Sequence, residues 1–422
     1  MSIATRITSI EGHIEQAYDE LQGLGADLTN VNKNIDNISM VLDDIYDSMP
    51  QVSGEGTSLT LDDTRVGKIK STLKGNTSQD GTPTPSSPIP VNVVSGDNEI
   101  NICGKNLFDG ELENGTYDTG TGQPQSINTS YRNKNIIRVK ENATYTFSIN
   151  GTSQKYCLYF YDKNKSFISS NISLTAGTFT TPANTEYVNF RCFGSDYVSN
   201  FSTLKVQLEK GSTATTYEVY QGANYSVNLG TLELCKIGDY EDKPFKAVNG
   251  DETYDSLTDA QKEGLTIGNW YVYKVIDKHI FDGTETWTQN SYGTNSWNLT
   301  NVISTNYVEN KLQILSNLFL GIPASGRNNA GNNVIYTATN TSAVIRNTTY
   351  TTLAEVRTAT TGGVIYYVLA TPTINPITDE DLIAQLEAIK NAISYNGQTN
   401  ISQTNDNKPF RISASALKEW SV

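Results

Sequence analysis

The sequence predicts a mainly β protein mounted on an N-terminal α-helical coiled coil, with antiparallel β-sandwich or jelly-roll modules carried on a trimeric stalk. Three observations predict it. The leading residues hold an unbroken heptad seam. Behind them lie many short β-branched and aromatic runs separated by turn residues. Charged residues make up only 18% of the chain, with Asn, Thr, Ser, Gly and Tyr in their place.

The seam comprises Ile3, Ile7, Ile10, Ile14, Ala17, Leu21, Leu24, Leu28, Val31, Ile35, Ile38, Leu42, Ile45 and Met49. With Ile7 at position a, the a column reads Ile, Ile, Leu, Leu, Ile, Leu, Met and the d column Ile, Ile, Ala, Leu, Val, Ile, Ile. Isoleucine in both columns, and Leu at a with Ile at d, favours three or four strands over two. A stripe this narrow is not buried by one chain, so the sequence predicts a parallel homotrimer. The competing reading, an amphipathic helix packed on its own protein, calls for a wider stripe of period 3.6. Gly12, Gly23 and Gly25 sit off the seam, and Pro50 ends it.

The chain has 422 residues, with 31 basic and 45 acidic side chains and a net charge of −14. That balance disfavours phosphate-backbone contacts with nucleic acid and docking on anionic lipid. No apolar run is long enough for a membrane helix. The heptad start is unlike an export signal, whereas the polar composition resembles an extracellular protein. A virion protein, made in the host cytoplasm and released by lysis, reconciles the two. Cys103, Cys157, Cys192 and Cys235 form no C-x-x-C pair, so a zinc site is not indicated. Buried free thiols are expected, with Cys157 and Cys192 as the pair that could bridge.

The organisation reads as a stalk over 1–50, a linker with short strands and a Pro-rich spacer over 51–90, and a first β module over 91–222. A second β-rich module follows over 223–375, then a helix over 376–397 and a polar segment over 398–422. Strand candidates in the first module are 136–140, 144–149, 155–161, 186–193 and 204–208. In the second they are 232–237, 269–276, 333–337, 343–345 and 364–369, with a short helical turn at 257–262. Thr378 and Asp381 suggest a capped helix start, and Leu382, Leu386, Ile389 and Ile393 form one face. The final segment, with anchors Phe410, Ile412, Leu417 and Trp420, is expected to cap the head or lie on a partner.

Several segments, in this order, resemble a known family. Gly104-Lys105-Asn106-Leu107-Phe108-Asp109 follows the Pro-rich loop, and Val206-Gln207-Leu208-Glu209-Lys210-Gly211 leads into Ser212-Thr213-Ala214-Thr215-Thr216-Tyr217-Glu218. Then come LELCKIGDY at 232–240, Trp270-Tyr271-Val272-Tyr273-Lys274, and YVLATPT at 367–373. Together they are similar to tail-fibre, baseplate and minor structural proteins of phages infecting Gram-positive bacteria. The resemblance covers most of 75–400 and implies a homotrimeric virion component with carbohydrate-binding-like β-sandwich modules. Its implied partners are other virion proteins, through the stalk, and host cell-wall polysaccharide. A purely structural role, on tail or head, stands beside it.

Signatures of catalysis are missing: no G-x-S-x-G, H-E-x-x-H or P-loop occurs, and His13 and His279 read as solvated. Asp239 and Glu241 read as turn and solvent-face residues rather than a glycosidase pair. The expectation is a protein that is not an enzyme and uses no cofactor or metal. Sugar recognition works instead through aromatic rings stacked on pyranose C–H faces, flanked by polar side chains. Trp287, Tyr292 and Trp297 lie in a polar, loop-like stretch and are the first candidates. Tyr187, Arg191 and Tyr197, near Phe190, Phe193 and Asp196, are the second, and Trp270, Tyr271 and Tyr273 form a third cluster. The aromatics of 156–161 read as module core.

Overall fold

The computed structural model describes residues 23–25, 27, 51–56, 58–127, 129–150, 155–175, 177–193, 204–290, 295–328, 332–403 and 411–418. The chain is mainly β, in many antiparallel sheets with a few short helices. Of the heptad positions only Leu24 falls in this set; it is helical and 65% exposed. The rest of the coiled-coil reading lies outside the described residues. Among the described residues no helix is long and apolar enough to cross a membrane.

A base is woven from segments far apart in sequence. One sheet orders Gln51–Gly56, Arg411–Leu417 and Lys70–Lys74; another orders Gly222–Asn228, Asp97–Cys103, Gly397–Gln403 and Ser58–Thr64. Alternation drives this pairing. In Ser58–Thr64, Leu59 and Leu61 point inward while Thr60 and Asp62 point out. Leu59, Leu61, Leu73, Ile100, Ile102, Ile401 and Ile412 share one core with Leu382, Leu386 and Ile389 of the helix Glu380–Lys390. That helix is capped one residue later than Thr378: Asp379 accepts from the backbone N–H of Leu382. The 398–422 segment therefore neither caps the head nor drapes outward over its described part. It supplies central strands of the base, because Ile401, Ile412, Ala414 and Ala416 alternate inward. Its anchors Phe410 and Trp420 lie outside the described residues.

Two excursions leave this base. The first is closed at its root by Gly104 N–H donating to Gln221 O at 2.8 Å. Its six-stranded sheet orders Phe167–Leu174, Lys155–Tyr161, Tyr187–Phe193, Ser130–Asn133 and Leu112–Asn114, with Ile137–Arg138 also paired to Tyr187–Phe193. A three-stranded sheet orders Gly177–Thr180, Thr144–Ile149 and Val206–Lys210. Leu158, Phe160, Val188 and Phe190 of the larger sheet share a core with Phe179, Tyr145, Phe147, Val206 and Leu208 of the smaller. Cys157 and Cys192 stand one register step apart, so their side chains point to opposite faces; all four cysteines are buried, and no disulfide joins them. The bridge between those two does not form.

The second excursion carries a sheet of Lys243–Lys246, Trp270–Ile280, Val364–Pro376 and Ile314–Ser316. Its other sheet orders Trp287–Gln289, Ser296–Thr300, Ser342–Arg346, Val334–Thr339 and Leu320–Gly321. A bulge between Lys274 and Ile276 frees two backbone N–H groups. The buried Asp242 carboxylate takes both, from Val275 at 2.7 Å and Ile276 at 3.0 Å, and pairs with Lys274 at 2.5 Å. The Pro-rich segment is no free spacer. It docks on this excursion, with Gln79 donating to Ser316 O at 2.9 Å and Asn333 donating to Pro83 O at 2.7 Å.

Candidate ligand-binding face

The two motifs of the first excursion turn out to be a clip. The Asn106 side chain donates to Val206 O and Glu218 O and accepts from the N–H groups of Phe108 and Leu208. The buried Glu209 carboxylate receives Thr215 N–H at 2.9 Å, Thr215 Oγ1 at 2.6 Å and Gln207 Nε2 at 2.8 Å. Buried polar groups satisfied this fully fix a loop in place. They leave no group free for a ligand.

The opposite face of the six-stranded sheet is different. Alternation sends Tyr156, Leu158 and Phe160 into the core and Cys157, Tyr159 and Tyr161 to the far side. The neighbouring strand does the same, with Val188, Phe190 and Cys192 inward and Tyr187, Asn189, Arg191 and Phe193 on the far side. Cross-strand register places Arg132 beside Arg191, and Asn133 donates to Asn189 Oδ1 at 2.8 Å. The far face thus combines tyrosines, arginines and amides, the side-chain types that hold sugar rings and hydroxyls.

A strap, residues 115–127, lies across this face. Tyr159 donates its hydroxyl to Tyr117 O at 3.0 Å, and Tyr161 to Gly122 O at 2.6 Å. Arg132 donates to Thr116 O at 2.9 Å, Arg191 to Thr116 Oγ1 at 2.6 Å, and Ser170 to Thr119 O at 2.9 Å. The close approach requires glycine at 122, where φ is +66° and a Cβ would stand 2.4 Å from Phe167 Cδ2. Burial pushes the Tyr159 hydroxyl up to about 12, with the Arg191 charge pulling the other way. Tyr161 is also raised by burial. Beneath the strap, the Tyr187 hydroxyl and Arg191 Nε are buried with no hydrogen-bond partner.

The tryptophan candidates fall elsewhere. Trp287 and Trp297 are 4% and 5% exposed and pack with Phe281, Leu299 and Phe319. The stretch that read as a loop is a hairpin, Trp287–Gln289 against Ser296–Thr300, and Trp297 Nε1 donates to Tyr350 O at 3.1 Å. As placed, neither ring can stack on a sugar. Tyr292, Tyr197 and Asp196 lie outside the described residues. Tyr187 is buried and lies between Arg138 and Lys165, at 5.7 and 5.4 Å from its ring centre, so it offers an edge rather than an open platform. Arg191 is half-buried over the Phe193 ring. In the third cluster, Trp270 is buried with its N–H on Glu387 at 2.8 Å, and Tyr271 stacks on Phe245.

His279 is paired with Glu285 at 2.9 Å rather than simply solvated, while His13 lies outside the described residues. Asp239 is exposed and pairs with Lys311, and Glu241 joins a network with Lys74, Lys236 and Arg411. A cleft of about 500 Å³ adjoins that network, lined by Ser53, Glu55, Lys74, Asp251, Lys390 and Ser413 among others. It has no aromatic lining, and Lys74 and Lys390 are matched there by Glu55 and Asp251. Among the described residues no group of His, Cys, Asp and Glu is placed to hold a metal ion.

Tyr159 and Tyr161 were not among the sequence candidates, since the whole 156–161 run read as core, and Tyr117 and Arg132 carried no local signal. For the run a signal was available: tyrosine on alternate positions, with Leu and Phe between, marks a second face that is apolar at its base and polar at its tip. No protein-family model matches the chain, and neither a curated protein nor a solved structure matches it.

Proposed function

We propose that this chain is a fibre or baseplate component of a virion, from a phage of Gram-positive bacteria, that recognises host cell-wall polysaccharide. In this reading the 1–50 segment forms a trimeric coiled-coil stalk, docked to other virion proteins. The two sheets of the first excursion act as a carbohydrate-binding-like β-sandwich. Their shared core, the motif order quoted above and the exposed seam residue Leu24 support it. The observation that carries the recognition step is the far sheet face, where Tyr159, Tyr161, Tyr187 and Arg191 stand on neighbouring strands. Binding, not catalysis, is the proposed activity.

Purified full-length protein should pull down with isolated cell walls and bind immobilised wall polysaccharide. Sedimentation should give a trimer mass that falls for Ile35→Asp with Ile38→Asp, because each charge is buried several-fold by symmetry. A protein that binds no wall material would remove the recognition step.

A second reading, a structural virion protein that docks neighbouring subunits, draws on the strap that covers the tyrosine face and on the buried tryptophans. A particle reconstruction separates the two. Other subunits sheathing the first excursion would favour the structural role.

A further inference from the structure

We propose that the far sheet face is selective for an anionic saccharide, whose carboxylate or phosphate group pairs with Arg191, and that the 115–127 strap is an internal occupant displaced on binding. This rests on the polysaccharide reading above and goes further in naming the ligand's charge and the gate.

Charge matching singles out Arg191. Arg132 is paired with Glu113 at 2.7 Å, and Arg138 with Glu186 at 2.6 Å. Arg191 has no carboxylate partner among the described residues; its Nη1 rests on the neutral hydroxyl of Thr116. Its Nε is buried and unpartnered, as is the Tyr187 hydroxyl on the same face four positions earlier. A half-buried guanidinium with a buried, unused Nε donor is suited to an oxyanion, which its planar fork binds in two-point fashion.

The strap's contacts imitate a ligand. Most run from side-chain donors on the sheet to oxygens of the strap: Tyr159 to Tyr117 O, Tyr161 to Gly122 O, Arg132 to Thr116 O and Arg191 to Thr116 Oγ1. Sugar oxygens accept from the same donors. The strap is anchored at its root, where Gly115, Thr116 and Tyr117 are buried and the Tyr117 ring packs on Tyr159, whereas residues 119–121 and 123–127 are exposed and only Gly122 between them is buried. The 118–127 part, held by hydrogen bonds over few apolar contacts, opens at lower cost than the Tyr117 root. Gly115 and Gly122 both have positive φ, at +152° and +66°, and mark the two bends of the strap.

The test is binding of full-length protein to an array of carboxylated, phosphorylated and neutral polysaccharides. Wild type should bind the anionic members. Arg191→Gln should lose at least about tenfold in affinity, and Arg191→Lys, which keeps the charge, should retain more. Gly122→Ala unseats the strap and should bind several-fold more tightly, because closure lowers the competent fraction. Hydrogen exchange over 115–127 should rise when the best-bound glycan is added. Equal binding to neutral members, with Arg191→Gln unchanged, overturns the charge selectivity and leaves the polysaccharide reading standing. Weaker binding by Gly122→Ala makes the strap part of the site and overturns displacement. No binding to any member by wild type or Gly122→Ala overturns both readings.

Discussion

The tyrosine face of the first excursion and the tryptophan hairpin of the second use aromatic rings in opposite ways. The tryptophans are set among Asn, Gly and Thr in the sequence, whereas Tyr159 and Tyr161 alternate with Leu158 and Phe160 in an apolar run. Trp287 and Trp297 fill a core with Phe281, Leu299 and Phe319, while the cross-strand pair Thr288 and Asn298 faces the hairpin's outer side. Tyr159, Tyr161 and Tyr187 stand on the reverse of a sheet whose core is already filled from the other side. Polar neighbours in sequence therefore do not expose a ring. What decides is whether the opposite face of its strand has another core to serve.

The largest effect should come from cutting the tryptophan core. Trp297→Ala should cost about 3–5 kcal/mol in urea unfolding, the usual loss for a buried large ring. Phe193→Ala, at the half-buried margin of the tyrosine face, should cost under about 1 kcal/mol. Equal losses would erase the distinction.

Acid should act next, and on the tryptophan side. Burial works against the Glu285 carboxylate, but His279 and the N–H groups of Asp282 and Gly283 outweigh it and hold its pKa below the usual range. A lowered folded pKa gives stability that is present above the unfolded value and lost as pH falls through the folded one. Glu285→Gln should cost about 1.5–3 kcal/mol at neutral pH, and the gap to wild type should shrink below about pH 4.

Base should act on the tyrosine face, as it should on Tyr367 beside the tryptophan core, which burial also pushes up to about 12. The folded pKa of Tyr159 is about 12, above the unfolded value. Its contribution is therefore complete below about pH 10 and lost as pH rises toward the folded value. Tyr159→Phe should reduce the alkaline sensitivity of the first excursion, read by near-ultraviolet absorbance against circular dichroism. A variant that melts in base like wild type would contradict this.

A small effect belongs to a single strap bond. Tyr161→Phe removes the donor to Gly122 O and should cost about 0.5–1.5 kcal/mol. Amide exchange should quicken around 118–123 while the tryptophan hairpin stays unchanged.

Much of the strand content was legible. Thr144–Ile149 and Lys155–Tyr161 fall where β-branched and aromatic runs placed them. The short helix Asp259–Lys262 has its capping box at Thr258 and Gln261. A similar signature at Thr352 and Glu355, which starts the helix Leu353–Thr360, was equally readable but went unread. Pairing was not legible. Nothing in the composition of Gly397–Gln403 says that it lies between Ser58–Thr64 and Asp97–Cys103. Local alternation fixes which side chains face inward, but partner choice depends on long-range contacts. The candidate site was half legible for the same reason. Tyr187 and Arg191 could be named, whereas the strap above them and Tyr159 beside them come from tertiary pairing.

The woven base has a consequence for how the molecule is made. Thr60 and Asn400, hydrogen-bonded across two strands, are 340 residues apart. On the ribosome the Gln51–Gly56 and Ser58–Thr64 strands emerge early and wait for partners that are translated hundreds of residues later. The excursions close over shorter spans and can fold while synthesis continues. The waiting strands carry Gly54, Gly56, Asp62 and Asp63, a composition that resists premature edge-to-edge pairing in the nascent chain. Completion of the polypeptide, rather than collapse of any one module, is then the event that seats the heads.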